Sequence, residues 1–286
     1  MKLKEVLDKT IKFFKDKGIE TARLDAELLF AKALSLSRID LYLKYDQPVS
    51  ENELNICRDY VRRRAQGEPV AYITNSRGFF GYDFYVNSCV LIPRPETELL
   101  VETILEWTKK NPKESGYDLI DLGTGSGCIG LTLAKKLANS RATLVDSSAG
   151  AIEVAQKNAA QLKVEEHCAF VIESVGASVF KNKKFDIIVS NPPYISELDE
   201  SIQQNVKKYE PHQALFAPEA GLSFLREWSS LGAKHLSRPA ILAFEMGFDQ
   251  GKVMKDHFQS LQIFDEVFIV KDLAGLDRHI VGVVHG

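Results

Sequence analysis

The residues best suited to chemistry are Asn191-Pro192-Pro193-Tyr194, which follow the apolar run Phe185-Asp186-Ile187-Ile188-Val189. Two prolines fix φ and donate no backbone hydrogen, so the turn is stiff and its carbonyls point outward as acceptors. A planar NH2 group can then be held by the Asn191 side-chain oxygen and the Pro192 carbonyl, each accepting one hydrogen. Such acceptors suit an amide nitrogen, a poor nucleophile because its lone pair is delocalised into the carbonyl. Alignment against an electrophile can lower the barrier further, by roughly 7–11 kcal/mol. The Tyr194 ring face can stabilise positive charge arriving on nitrogen and pack against a flat group. The plainer reading of these four residues is a rigid proline turn with an Asn cap.

A second group is Asp121-Leu122-Gly123-Thr124-Gly125-Ser126-Gly127, a dense glycine run that follows an apolar strand and precedes a helical stretch. Glycines let the backbone turn tightly and approach a ligand with no side chain between. Gly125 to Gly130 also spell G-x-G-x-x-G, and Asp146 closes the next strand about 20 residues on, as a dinucleotide site requires. Charge separates the candidates. Asp121 beside the loop repels a pyrophosphate and favours the ammonium of a methionine moiety, which points to S-adenosylmethionine. The expected cofactor residues are Gly123, Thr124, Gly125, Ser126, Gly127 and Asp146, with Asn191 at the reacting end. Asp146 can accept from two ribose hydroxyls, or instead cap a helix, a task open also to Ser147 and Ser148.

These groups need a scaffold, and the pattern supplies one. Leu3, Val6, Leu7, Ile11 and Phe14 recur at helical spacing, stop at Gly18 and resume with Leu24, Leu28 and Leu29. Ser50 and Glu53 form a capping box whose helix should run to Gly67. Between about Tyr72 and Pro95 aromatic and β-branched residues alternate, with Gly81 and Asn87 at turns, which predicts a β-hairpin linker. From Tyr117 short apolar strands alternate with helical stretches: 118–122, 142–145, 169–172, 185–189 and 240–244. Strands apolar throughout, joined by helix-length crossovers, imply an α/β fold with a parallel sheet covered on both faces. Segments 267–270 and 280–284 are close together and predict a closing antiparallel pair. The expected domains are a helical substrate-docking domain over 1–75, a hairpin linker over 76–98 and a catalytic domain over 99–286.

Of the 286 residues, 45% are hydrophobic and 26% charged, and the formal net charge is −3. The chain can bury a sizeable core and lacks the positive field of an indiscriminate nucleic-acid binder. Basic and acidic side chains nearly balance over residues 1–75, so that region suits a protein-facing or structural module. Arg62-Arg63-Arg64 reads as a solvated face. Cys57, Cys89, Cys128 and Cys168 form no C-x-x-C pair and read as buried thiols in a reducing compartment. Six scattered histidines make no metal site, and no apolar run spans a bilayer, so a cytoplasmic protein without metal or membrane is expected.

The chain resembles the HemK family of glutamine-N5 methyltransferases, which act on the Gly-Gly-Gln motif of peptide chain release factors. The likeness spans nearly the whole chain. It is carried by the glycine loop and Asn191 to Tyr194, by Gly67-Glu68-Pro69 with Tyr72, and by Val90 to Glu98. Later come Glu210-Pro211, Ala214-Leu215, Gly221-Leu222, Glu245-Met246-Gly247 and Asp272 to Arg278. The Pro93 to Glu98 block is more similar to the release-factor enzymes than to relatives that modify a ribosomal protein. The resemblance implies a Rossmann-like class I methyltransferase sheet. It assigns the Gly123 to Gly127 loop and Asp146 to the cofactor, Asn191 to Tyr194 to the substrate glutamine, and the N-terminal helices to docking of the release factor, without direct sequence-specific nucleic-acid binding. One stretch departs: the family often has Ser-Asp-Trp where this chain has Ser174-Val175-Gly176, so the adenine subsite is not carried over. Arg94 and Glu98 suit either the site or a surface pair. The competing classes are a nucleic-acid amine methyltransferase acting on a flipped base, a nicotinamide dehydrogenase, and an inactive binding partner of release factors.

Overall fold

The computed structural model describes every residue except Lys181, Asn182 and Ser201. Its contacts divide the chain into two compact units, residues 1–76 with 204–209, and residues 77–203 with 210–286.

The first unit is helical. Helices α1 (Leu3–Asp16), α2 (Ala22–Ala33), α3 (Arg38–Leu43), α4 (Glu51–Ala65) and α5 (Val70–Thr74) bury one apolar face each around Leu7, Phe14, Leu29 and Phe30. Ser50 and Glu53 close the capping box of α4, and Gly67 follows its end in the left-handed region at φ +95. In the arginine run at the end of α4, Arg62 is solvated as expected, whereas Arg63 and Arg64 are partly buried in ion pairs. Arg62 pairs with Asp59, Arg63 makes a two-bond fork with Glu68, and Arg64 reaches the buried Asp25 at 2.7 Å. The reason is helical spacing, which turns three consecutive arginines in three directions.

In the second unit the hairpin pairs strands β1 (Arg77–Phe79) and β2 (Tyr82–Phe84) through Phe80 and Gly81, both at positive φ. The segment expected as a linker belongs with this unit: Phe79 and Phe84 meet edge to face inside its core, and the Phe80 amide donates to Glu98 Oε1 at 2.9 Å. Helix α6 (Glu98–Lys110) follows. Then come β3 (Asp118–Leu122), α7 (Cys128–Lys136), β4 (Arg141–Asp146), α8 (Ala149–Leu162), β5 (Cys168–Ile172) and β6 (Phe185–Ser190). The short β7 (Ile195–Ser196) and β8 (Phe216–Ala217) pair with each other, and β9 (Leu236–Glu245), β10 (Glu266–Lys271) and β11 (Asp277–Val284) complete the chain.

Seven strands form one sheet in the order β10-β11-β9-β6-β3-β4-β5. All neighbours are parallel except β11, which runs antiparallel to both β9 and β10. Alternation along each strand sends Leu119, Leu144, Ile187 and Val189 to one face under α6, α7 and α8. The intervening Ile120, Leu122, Ile188 and Leu242 go to the other face, against Leu225, Trp228 and Phe258 of later helices. Consecutive strands β3 to β5 step outward in one direction, and β6 returns to the far side of β3. The carboxyl ends of β3 and β6 therefore flank a topological switch point, where open α/β sheets leave a crevice.

Candidate active site

Both motifs open into that crevice. Beyond β3, Gly123, Gly125 and Gly127 sit at φ +70, +54 and +80, which a side chain would strain. A Cβ on Gly123 would stand 3.0 Å from the Trp228 ring, and one on Gly127 would overlap Leu131. At Gly125 it would meet nothing within 4 Å, so this residue alone exposes bare backbone to open space. The turn is tied from behind. Asp121 Oδ2 accepts from Thr124 Oγ1 at 2.7 Å and from the Gly130 amide at 2.9 Å, while Asn158 Nδ2 donates to the Ser126 carbonyl at 2.8 Å.

Asp121 is fully buried and does not line the crevice, so its role beside the loop differs from the direct electrostatic one that its position in the sequence suggests. Burial pushes its carboxyl up to about 6, against the hydrogen bonds from Thr124 and Gly130, and Oδ1 has no partner among the described residues. Asp146 ends β4 on the crevice wall. Its Oδ2 accepts from the Gly125 amide and its Oδ1 from the Ser148 amide, both at 2.9 Å, and burial raises its carboxyl above the usual range. Capping of α8 falls to Ser148, whose hydroxyl accepts from Ala151 N.

From the other strand end, Asn191 and Pro193 line the same cavity, about 460 Å³ in volume. Pro192 is buried and Tyr194 half-buried, both off its wall. The Tyr194 hydroxyl donates to Glu245 Oε1 at 3.0 Å, and burial with this carboxylate raises the phenol well above its ordinary value. Its carbonyl accepts from Gln250 Nε2 at 3.0 Å, and Gly221 leaves room for that carbonyl, since a Cβ would overlap it. Asn191 Nδ2 donates to Thr97 Oγ1 at 3.4 Å, and Thr97 Oγ1 donates to Glu245 Oε2 at 2.6 Å.

The strap through Cys89 to Pro93 forms another wall. Glu210, only 5% exposed, accepts from the Ile92 amide at 3.1 Å and from Arg94 Nη2 at 2.6 Å, and Arg77 Nε holds the Pro93 carbonyl. Arg94 and Glu98 are thus holders of the strap and the hairpin. Cys89 is exposed at the cavity, unlike the buried thiol expected, whereas burial pushes Cys128 up to about 12. Among the described residues no group of three His, Cys, Asp or Glu side chains could hold a metal ion.

Comparison with known proteins adds a lineage to this geometry. Residues 5–74 match the PrmC N-terminal domain and residues 95–209 the Methyltransferase small domain. A release factor glutamine methyltransferase of Leptospira interrogans is 40% identical, with 96% of both chains covered. Those of Geobacter sulfurreducens and Chlorobaculum tepidum are each 39% identical, over 98% and 96% of this chain and 96% and 94% of theirs. The chain belongs to the release factor glutamine methyltransferase family. It is an S-adenosylmethionine-dependent methyltransferase of class I fold. Among solved structures, the T. Thermophilus 16S rRNA methyltransferase in complex with AdoMet and guanosine shares the fold at TM-score 0.53 and 17% identity, over 73% of this chain and 50% of that one.

The cradle suits the family's cofactor. Bare backbone at Gly125, the Asp146 carboxyl on the cavity wall, and a volume within the roughly 300–1,000 Å³ of ligand sites all fit it. Where the family often has Asp-Trp, Val175 lines the cavity together with Ser174, offering apolar surface in place of a hydrogen-bonding carboxylate. Thr97, Trp228 and Gln250 escaped functional assignment at the sequence level. Thr97 lies in the quoted Pro93 to Glu98 block, whereas nothing in the sequence singles out Trp228 or Gln250.

Proposed function

We propose that this chain transfers the methyl group of S-adenosylmethionine to the side-chain amide nitrogen, N5, of the glutamine in the Gly-Gly-Gln motif of peptide chain release factors. The observation that carries this reading is the meeting of Asn191 with the Gly123 to Gly127 loop and Asp146 around one cavity. The family's cofactor supplies an electrophilic methyl on a sulfonium. Gly123, Thr124, Gly125 and Ser126 would then hold the methionine part, with bare backbone at Gly125, Gly127 turns the loop against Leu131 behind them, and Asp146 would accept from the ribose hydroxyls. Asn191 Oδ1, on the cavity wall, would accept an amide hydrogen and so orient the nitrogen, while Pro192, buried off the wall, fixes the backbone that presents it. Pro193 stiffens the turn. Tyr194, with its hydroxyl committed to Glu245, supports the loop from outside the wall.

The helical unit of residues 1–75 serves as the docking domain in this reading, with 76–98 leading into the catalytic domain. Ile39 and Leu43 of α3 stand 73% and 78% exposed, an apolar face suited to a protein partner. Arginines 62 to 64 are all paired with carboxylates within their own unit, which favours protein over direct sequence-specific nucleic-acid recognition. No helix among the described residues is long and apolar enough to cross a membrane. The test is mass spectrometry of the Gly-Gly-Gln peptide after incubation of purified enzyme, S-adenosylmethionine and release factor. One added methyl on the glutamine side chain is expected. Label entering bare nucleic acid and not the release factor would overturn the reading in favour of a base-amine methyltransferase.

A further inference from the structure

We propose that Thr97, polarised by Glu245, is a positioning residue that locks the Asn191 amide with its oxygen toward the substrate. This rests on the reading of Asn191 as an acceptor for the substrate NH2. The three residues lie far apart in the chain, Thr97 just before α6, Asn191 after β6 and Glu245 at the end of β9, and the fold brings them into one line.

The reasoning is one of hydrogen-bond polarity. A carboxylate can only accept, and Glu245, 2% exposed, accepts from Tyr194 on one oxygen and from Thr97 on the other. The Thr97 hydroxyl owns one hydrogen and gives it to Glu245 at 2.6 Å. Toward Asn191 its oxygen can therefore only accept. Asn191 answers by presenting Nδ2, at 3.4 Å, so Oδ1 is the atom left for the other side. Thr97 and Asn191 both line the cavity, and the side-chain oxygen is thereby held available to a substrate NH2. At 3.4 Å the bond is long, so its chief effect is choice of orientation. An Asn191 turned end for end would set acceptor against acceptor at Thr97 and present its own NH2, a donor, to the substrate NH2.

Thr97→Val keeps the shape and removes the hydroxyl. Its expected effect on release-factor methylation is an about tenfold fall in kcat, the fold-change that corresponds to about 1.4 kcal/mol against the productive amide orientation. The KM for release factor and the affinity for S-adenosylmethionine by calorimetry should stay within about twofold, as fits a loss felt only in the reacting geometry. Thr97→Ser restores the hydroxyl and should restore kcat. In an Asn191→Ala background, Thr97→Val should cost nothing further, because its effect runs through Asn191. Losses that multiply in the double variant, a serine variant as slow as the valine one, or wild-type kcat in Thr97→Val would each overturn the proposal. Wild-type turnover by Asn191→Ala alone would instead remove the underlying reading, and the proposal with it. Should Thr97→Val lack a cooperative melt, Glu245→Gln replaces it. A carboxamide has one oxygen to share, so Thr97 or Tyr194 loses its acceptor and kcat falls, whereas unchanged kcat would count against the chain of bonds.

Discussion

Replacing Asp121 by Asn removes a carboxyl group that is fully buried behind the glycine loop, with one oxygen unpartnered among the described residues. Burial raises its folded-state pKa from 3.8 to about 6. The sign follows from linkage: a raised folded value means the charged form is disfavoured in the native state. The associated stability is fully present below the unfolded value and is lost as pH rises through about 6. At pH 8 the group is ionised in both states, and the whole shift costs roughly 3 kcal/mol. At pH 5 the folded carboxyl is mostly protonated while the unfolded one is mostly ionised, and roughly half of that cost remains. Wild type should therefore gain roughly 1–2 kcal/mol on Asp121→Asn between pH 8 and pH 5, since titrating groups remote from Asp121 cancel in the comparison. Paired thermal melts would show this as a relative rise of roughly 3–5 °C in the wild-type Tm. A difference between the two proteins that stays flat across this range, or widens against the wild type on acidification, would refute the assignment of a strained carboxyl at this position.

Asn191→Ala is expected to reduce methyl transfer by at least about 100-fold while S-adenosylmethionine affinity by calorimetry is preserved, because the acceptor is lost only for the reacting amide. Gly125→Ala should lower stability by about 1–2 kcal/mol through its left-handed φ alone, since no protein atom is struck, yet weaken cofactor binding by about tenfold or more where the added methyl fills the cradle. Melts and calorimetry on the same sample read both quantities. Glu210→Ala leaves the Ile92 amide and the Arg94 guanidinium without their acceptor, so a loss of about 1–3 kcal/mol in urea unfolding is expected.

What the sequence determined by itself was local. Glycine density, paired prolines and the Ser50–Glu53 box act over a few residues, and the alternation of apolar strands with helical stretches follows from burial periodicity. The α/β class, the closing antiparallel pair and both motif loops were legible for that reason, and the family likeness rests on the same short runs. Strand ends were less so: β9 reaches from Leu236 to Glu245, beyond the apolar core of 240–244, because Leu236 pairs with Phe185 across a register shift that no local pattern announces.

Tertiary structure decided which charged and polar groups meet. Asp121 and Asp146 look alike in sequence, each ending a strand before a turn. One is sealed behind the loop and the other stands on the cavity wall, a difference set by the packing around each strand end. Arg64 and Asp25, Arg94 and Glu210, and Thr97 and Glu245 are separated by 39, 116 and 148 positions, distances over which no local pattern carries information. Cys89, in a run of mixed polarity, is exposed because it lies on the strap at the cavity. Residue type states what a side chain can donate or accept, but long-range packing alone selects its partner and excludes water from the pair.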